Sequence, residues 1–315
     1  MPVPTIMRKA LLLYNPLSGR RHGRRVHEVE SAQSALRAGG VEATSAVTAG
    51  PGDAVEQVKQ AIQDGCDTVF ACGGDGTVHD VVQGLVGSPV ALGVIPLGTA
   101  NSLANDLGLP LSPTGAARAA LAAKPHRIAV GRVEYQGLQG ETSARYFTVT
   151  AGVGVDAHLF YTMNPLAKRH LGMAAYYAKA TRLWLTHKME NFAIELDGET
   201  PRSAEVSQLL AVRIRHFGGV LRELAPGASR DRDDLRLVLF RTRNRAAYLG
   251  YVLRGLLGRK WRIPGIELVH AARVNCRPGA EASRIFVEAD GELLGTLPAE
   301  IRVVSDALTI LVPDV

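Results

Sequence analysis

The sequence predicts an α/β domain with a mainly parallel sheet, followed by a second domain rich in antiparallel β-strand. Three observations predict it. Over the first ~125 residues, short apolar runs alternate with helical patterns, the mark of βαβ units. After about Arg127, strand follows strand with few helices between, which favours antiparallel pairing. At 315 residues, with 46% hydrophobic and 21% charged residues, the chain is long enough for about two domains and can bury a sizeable core.

In chain order, Ala10–Tyr14 reads as a buried strand that ends at the turn Asn15-Pro16-Leu17-Ser18-Gly19. A helix follows, with Val26, Val29 and Leu36 expected on one side. Val41–Val47 is a second strand. The next helix carries Val55, Val58 and Ile62 at i, i+3 and i+7. Strand three, Thr68–Cys72, runs into Gly73-Gly74-Asp75-Gly76-Thr77, and the helix beyond has Val78, Val81, Val82 and Leu85 on one stripe. Val90–Ile95 makes strand four, and Pro96–Asn101 turns into another helix. All three turns lie at carboxyl ends of strands, where parallel sheets bind ligands.

In the second half, Ile128–Tyr135, Tyr146–Gly152, Phe192–Leu196, Leu209–Ile214, Leu235–Phe240, Leu268–Asn275 and Ile285–Glu288 read as strands. Leu166–Thr186 and Arg245–Leu257 read as helices, and Ala299–Val312 as two further strand-like pieces. The triplet Asp197-Gly198-Glu199 reads as a hairpin turn.

Three cysteines without a spacing pattern argue against a disulfide framework and a zinc site, and point to a reducing, cytoplasmic setting. Met1-Pro2-Val3-Pro4 has no signal-peptide character, and no uncharged apolar stretch reaches the roughly 20 residues of a membrane span. The net charge is +6, yet Arg213–Arg262 alone holds twelve Arg and one Lys against Glu223, Asp231, Asp233 and Asp234. Such a basic segment fits anionic partners or an ordinary Arg-rich surface. No nucleic-acid-binding motif accompanies it, and aromatics are only 5% of the chain.

The run Gly73–Thr77 is the chief chemical signal. Three glycines in four positions let main chain approach a ligand and adopt positive φ, and the amides of the turn and helix start can face a phosphate. Asp75 cannot meet phosphate directly, because like charges repel. It makes sense if it orients Mg²⁺ or its water beside the phosphates. Thr77 can cap the helix or hydrogen-bond a nucleotide. The plainer reading is a strand-to-helix turn with an Asp cap. No G-x-x-x-x-G-K-[ST] is present, which excludes a P-loop protein.

The turn GGDGT resembles that of the superfamily of diacylglycerol, sphingosine and ceramide kinases, NAD kinases and phosphofructokinases. Asn15–Gly19, Pro96–Ala104, Ala151–Ala157 and Asp290-Gly291-Glu292 select the lipid-kinase branch, and Asn164–Tyr177 looks like a helix of that branch. The chain is similar over nearly its whole length to the bacterial diacylglycerol-kinase-like lipid kinases. The resemblance implies a nucleotide-binding domain over 1–127, to which 304–315 return, and a lipid-substrate β-sandwich over 128–303, with the active site in the cleft they form. It implies ATP and Mg²⁺ as co-substrate and cofactor. It carries Asn15 and Gly19 onto the first phosphate-side loop, Gly73, Gly74, Gly76 and Thr77 onto the nucleotide-phosphate loop, and Gly98, Thr99 and Asn101 onto the second nucleotide loop. Asn101 also opens a helix and is a candidate cap for it.

The resemblance makes Asp290 the general base that takes the acceptor's hydroxyl proton, although spacing alone makes the second Asp-Gly-Glu a turn as well. Glu292, two residues on, shares a face with Asp290 if the strand continues, and would assist. The family pattern Ala-Pro-x-Ala-x-x-Asp-Asp-Gly, linked in some members to a structural metal, departs here. Ala225-Pro226-Gly227-Ala228 is followed by Ser229-Arg230-Asp231-Arg232-Asp233-Asp234, with Arg232 at the second Asp, leaving Asp231 as the remaining candidate metal ligand beside Asp75.

Arg254–Arg262 mixes Leu256, Leu257 and Trp261 with four cations. It reads first as a helix end packed into the core, and alternatively as a piece lying on an anionic bilayer. His22, His79, His158 and His216 form no ligand spacing, and His79 reads as an ordinary helix residue. Arg20, Arg21, Arg24 and Arg25 either hold phosphates or form a solvated helix start.

The expected function is therefore a peripheral, cytoplasmic lipid kinase, moving the ATP γ-phosphoryl group to a lipid hydroxyl such as that of diacylglycerol at the inner face of a membrane. The alternatives are an NAD-kinase-like enzyme and a nucleotide-binding regulator without turnover. The expected partner is a lipid at a membrane surface and not nucleic acid; monomer and homodimer both stay open.

Overall fold

A computed structural model of the chain describes residues 7–16, 22–50, 52–155, 189–197, 202–218, 223–258, 262–279 and 284–313. The chain forms two compact units. The first holds Met1–Val130, Ser305–Val315 and the short segment His216–Gly219; the second holds Gly131–Arg215 and Val220–Val304.

The first unit runs β1 (Lys9–Tyr14), α1 (His22–Ala38), β2 (Glu42–Val47), α2 (Asp53–Gln63), β3 (Thr68–Gly73), α3 (Asp75–Leu85), β4 (Ala91–Pro96), α4 (Ser102–Asp106), α5 (Pro113–Ala122) and the start of β5 (Lys124–Gln136). The end of β15 (Glu292–Val312) supplies its last strand. The sheet order is β2-β1-β3-β4-β15, parallel throughout, with Leu13 opposite Ala71 and Ala71 opposite Val94. Strands β3 and β4 are buried along their entire length, as the continuous apolar runs require. The order reverses at the β1/β3 boundary. In doubly wound sheets the crevice outside the carboxyl ends of the strands at such a switch binds the ligand.

The helices show where periodicity succeeds and fails. Val78, Val81, Val82 and Leu85 of α3 are all buried, as the stripe predicts. On α1, Val26 is 46% exposed, contrary to expectation. The buried row there is Arg25, Val29, Ala32 and Leu36, so an arginine takes the place assigned to valine. On α2 the buried row is Ala54, Val58 and Ala61, and Val55 and Ile62 sit half-buried at its margins.

The second unit contains the end of β5, then β6 (Thr142–Phe147), β7 (Thr150–Gly154), β8 (Phe192–Leu196), β9 (Arg202–Val206), β10 (Gln208–Val212), β11 (Leu235–Phe240), α6 (Arg245–Leu257), β12 (Ile266–Ala271), β13 (Arg273–Pro278), β14 (Phe286–Ala289) and most of β15. Antiparallel pairs make the path β12-β11-β10-β7-β14-β15, with β13 joining β15 to β8, β8 pairing β9 and β5 pairing β6. Alternate residues of these strands, among them Phe147, Val153, Phe192, Leu209, Leu237, Val274, Val287 and Ile301, fill one core.

Three expected strands differ. Tyr146–Gly152 is broken at Thr148-Val149, whose amides bind a side chain instead of a ladder. Leu268–Asn275 is broken at Ala272. The two tail pieces are one strand, β15. Strands β8 and β9 pair with Leu196 opposite Arg202, which places Asp197 at the start of their connection; residues 198–201 lie outside the described residues. So does the helix expected over 166–186. Among the described residues no helix is long and apolar enough to cross a membrane.

Arg213, just after β10, is 1% exposed. Its guanidinium donates to the carbonyls of Arg230 (2.9 Å), Arg232 (2.8 Å) and Asp234 (2.6 Å), gathering the loop before β11 around one cation. Burial pulls its pKa down to about 10, against the opposite pull of Asp234, Asp233 and Asp231, so the group is charged at neutral pH. Replacing one partner leaves buried acceptors unmet. Arg213→Met is therefore expected to cost about 3 kcal/mol and to lower Tm by roughly 6–12 °C. Calorimetry checks this; an unchanged Tm would show that water serves the carbonyls equally well.

Candidate active site

The first unit assembles three strand-end turns on one edge of its sheet. Strands β1 and β3 are neighbours, so half-buried Asn15 follows β1 at the same edge where Gly73 ends β3. Gly19 lies outside the described residues. Gly73 carbonyl accepts from the Leu97 amide at 2.8 Å, which ties the end of β3 to the turn after β4.

The glycines are needed here for close approach. The backbone of Gly74, with φ −96°, is not left-handed, and neither Gly73 nor Gly76 has positive φ, which corrects that part of the sequence reading. A Cβ on Gly74 would stand 3.1 Å from Gly98 Cα, and one on Gly98 would overlap Gly74 Cα and meet Asn101 Oδ1 at 2.8 Å. A Cβ on Gly73 would collide with the Thr77 side chain. The two glycine turns thus pack main chain to main chain.

Side chains lock that contact. Asp75 is the first residue of α3, not its cap; the N-cap is Gly74, with no side-chain cap bond. The Asp75 carboxylate reaches across to the start of α4, accepting from the Asn101 amide (3.1 Å) and the Ser102 amide (2.7 Å). Asn101 occupies the N-cap position of α4 at φ 52°, yet its side chain makes no cap bond. It folds back instead, with Oδ1 accepting from Gly98 N (2.8 Å) and Nδ2 donating to Gly98 O (3.1 Å). Thr77 is the third residue of α3 and does not cap it. Thr99 is exposed at the tip of the second turn.

The start of α3 therefore carries first-turn amides without intrahelical partners and without a side-chain cap, at the positive end of the helix dipole. That arrangement suits an anion.

One supporting residue, Arg25, has a role other than those expected of it, and another, Asp106, escaped the sequence reading. Buried Arg25 donates to Leu97 carbonyl at 2.8 Å and holds the second turn from behind, so it is neither a phosphate ligand nor part of a solvated helix start. Burial lowers its pKa, partly offset by Glu28. Arg24 is exposed, and residues 20 and 21 lie outside the described residues. Buried Asp106, at the end of α4, accepts from the His216 amide at 2.9 Å. His79 is a buried residue of α3.

In the second unit, Asp290 and Gly291 form the two-residue turn joining β14 to β15, with Ala289 opposite Glu292. Both turn residues have positive φ, 49° and 83°, as a type I′ hairpin turn demands. Asp290 is only 8% exposed. Its carboxylate accepts from the amides of Thr148 (3.1 Å), Val149 (2.9 Å) and Thr150 (3.1 Å), and its own amide donates to Thr150 carbonyl (2.8 Å). The second Asp-Gly-Glu is thus a turn and also the anchor of the break separating β6 from β7. Because the strand does not continue through Gly291, Glu292 does not share a face with Asp290; it is exposed at the start of β15. The acidic neighbour that shares the turn's local network is Glu288, 1% exposed, whose Oε2 accepts from Gly291 amide at 2.9 Å. A glutamate inside the otherwise apolar run Phe286–Ala289 was the available signal for it.

A metal is testable against these groups. Among the described residues no three His, Cys, Asp or Glu side chains form a metal-holding group. Mg²⁺ needs only one or two carboxylates when substrate phosphates supply other ligands. Asp75, at the start of α3 and at the carboxyl-end edge of the sheet, fits that shared role. The loop around Asp231 does not fit a resident divalent ion. Its carbonyls converge on the Arg213 guanidinium, Asp234 pairs with Arg232 and His270, and exposed Asp231 contacts Ser229 and Arg230.

The expected core packing of Leu256 and Leu257 does not occur: they are 39% and 62% exposed. Trp261 lies outside the described residues. A groove of about 270 Å³ in the second unit, lined by Glu134, Tyr135, Thr142, Asn275, Pro298 and Glu300 among others, contains none of the expected site residues.

Comparison with known proteins places this geometry in a family. Residues 9–133 match the family model for the diacylglycerol kinase catalytic domain, and residues 148–312 match that for the YegS C-terminal NAD kinase beta sandwich-like domain. A diacylglycerol kinase of Bacillus subtilis (strain 168) is 31% identical over 93% of both chains. One from Mycobacterium tuberculosis (strain ATCC 25618 / H37Rv) is 29% identical over 97% of this chain and 95% of its own. The fold is shared with a crystal structure of a diacylglycerol kinase from Bacillus anthracis str. Sterne, at TM-score 0.71 and 19% identity over 99% of this chain and 98% of that one. A more distant fold likeness extends to yeast NADH kinase, at TM-score 0.50 and 10% identity over 98% and 84% of the two chains. With a shared parallel-sheet unit, a shared sandwich unit and near-full-length relatives, the chain belongs to the diacylglycerol kinase family.

Proposed function

We propose that this protein transfers the γ-phosphoryl group of ATP to the hydroxyl of a membrane lipid, most simply a diacylglycerol. The observation that carries the reading is the pair of glycine turns fastened by Asp75 and Asn101 at the carboxyl ends of β3 and β4. Phosphoryl transfer asks little covalent chemistry of a protein and much positioning and charge neutralisation. The amides at the start of α3 hold the phosphates, with the Gly98 turn packed against them. Asp75 offers a carboxylate to Mg²⁺ while fixing the start of α4. Bound Mg²⁺ neutralises charge on the phosphates during transfer.

Asp290 takes the proton of the acceptor hydroxyl. Three amides aim its carboxylate in one orientation, which is what a base acting within hydrogen-bond reach requires. Glu288 and Gly291 hold the turn that carries it. We place the reaction in the cytoplasm at the inner face of a membrane, where the protein meets its acceptor by peripheral contact.

Incubation with ATP-Mg²⁺ and a panel of lipid acceptors or NAD, read by product mass, tests this reading. A phosphorylated lipid is the expected product; phosphorylated NAD selects the NAD-kinase-like alternative, and no product from any acceptor selects a regulator without turnover. Asp290→Asn removes the proton acceptor and one amide-accepting oxygen. Turnover is expected to fall about 10²–10⁴-fold, with nucleotide binding retained and Tm lowered by a few degrees. Full turnover in that variant would refute the base assignment. Gly98→Ala forces the two turns apart at a cost of about 1–3 kcal/mol and is expected to raise KM for ATP roughly tenfold, measured by steady-state kinetics.

A further inference from the structure

Helix α6 is built inside out. Its inward row is Ala247, Tyr248, Tyr251, Arg254 and Gly255. These groups are anchored: Tyr248 Oη lies 2.7 Å from Ser207 Oγ, Tyr251 Oη donates to Leu224 carbonyl at 2.5 Å, and Arg254 donates to the same carbonyl while stacking 4.4 Å over the Tyr251 ring. Phe240 packs against both tyrosine rings, at 4.4 and 5.2 Å. Burial of this row pushes the Tyr248 pKa up to about 12. The helix is therefore held firmly by its polar and aromatic side.

Its outward row is aliphatic. Leu249, Val252, Leu253, Leu256 and Leu257 are 48%, 46%, 42%, 39% and 62% exposed. Their spacing of i, i+3, i+4, i+7 and i+8 is that of a core-facing stripe, and here it faces away from its own unit's core. A row of this kind marks an interaction surface. Residues 241–262 contain seven Arg or Lys and no acidic residue, although Arg254 points inward and Arg241 pairs with Glu267 at 3.4 Å. Arg243 and Arg262 at the two ends of the segment are exposed.

We infer that this face of α6 docks on an anionic lipid surface. The aliphatic row enters the headgroup boundary, and the arginines flanking it meet lipid phosphates. Interfacial helices combine an apolar face with basic flanks in this way, and cations near an anionic leaflet strengthen the attachment. A second copy of the chain is the poorer occupant. A two-fold contact through this face sets each basic flank against its own copy, and like charges across an interface repel. The inference rests on the lipid-kinase reading for its purpose, delivery of the protein to a membrane-dissolved acceptor, but not for its physics.

Cosedimentation with vesicles, without nucleotide, tests it. Wild-type protein is expected to bind vesicles of phosphatidylcholine mixed with phosphatidylglycerol, to ignore vesicles of phosphatidylcholine alone, and to be released by high salt. The double variant Leu253→Glu, Leu257→Glu is expected to lose binding at least about tenfold, because two charges replace two inserted side chains. Its Tm, and its activity on dispersed short-chain dioctanoylglycerol, are expected to match wild type, while its activity on vesicle-embedded acceptor falls. Equal vesicle binding by variant and wild type overturns the inference, as does absence of wild-type binding. So does a dimer, seen by light scattering, that the double variant dissociates while vesicles are not bound. Absence of wild-type activity on dispersed dioctanoylglycerol, with vesicle binding intact, instead overturns the kinase reading and leaves the docking surface standing.

Discussion

The contact between Gly74 and Gly98 is the constraint on which the rest of the candidate site in the first unit depends. Two backbones approach so closely that a Cβ on Gly98 would overlap Gly74 Cα and one on Gly74 would press on Gly98 Cα at 3.1 Å. Main chain placed this tightly presents its amides instead of side chains, and amides are what a triphosphate needs. The approach is stable because Asp75 spends its charge on two amides of the opposite turn, Asn101 closes its own turn in a left-handed conformation, and Arg25 clamps the Leu97 carbonyl from the helix layer. An acidic residue at the head of an anion-binding helix looks contradictory in the linear sequence. It stops being so once its carboxylate is seen to cap the neighbouring helix.

The second unit solves a similar problem with different parts. A tight hairpin normally exposes its turn residues, but here Asp290 is turned inward and binds three consecutive amides at the corner following β6. Those amides have no ladder partner at the break, so the carboxylate satisfies groups that would otherwise be orphaned. Position and orientation of the carboxylate are thus set by the same bonds that shape the sheet. In the loop before β11, a buried guanidinium gathers three carbonyls around one positive charge.

Much of this was legible in the sequence. Continuous apolar runs gave β1, β3 and β4 to within a residue or two, and the stripe Val78–Leu85 gave the buried face of α3, because those segments are buried on purely apolar grounds. The site turns were legible because glycine clusters at strand ends have few other causes. Buried polar groups were not. Arg25, Arg213, Asp106 and Glu288 sit where a pattern of apolar residues assigns nothing, and their partners are carbonyls and amides that leave no trace in composition. The exposed stripe of α6 was invisible for the converse reason: periodicity reports that a helix has an apolar side, not which way that side points. The shared face expected of Asp290 and Glu292 failed on backbone geometry, since two left-handed residues in succession cancel the alternation on which same-face reasoning rests.

The last strand of the first sheet has an implication for how the polypeptide matures. Residues near Thr309 and Ile310 pair with Ala91 and Leu92, although more than two hundred residues are synthesised in between. The nascent N-terminal portion leaves the ribosome with β4 as a bare edge, and that edge stays unpaired until the whole second unit has been translated. Completion of the first sheet is therefore a late event, one that waits on the prior emergence of the part of the chain that carries Asp290.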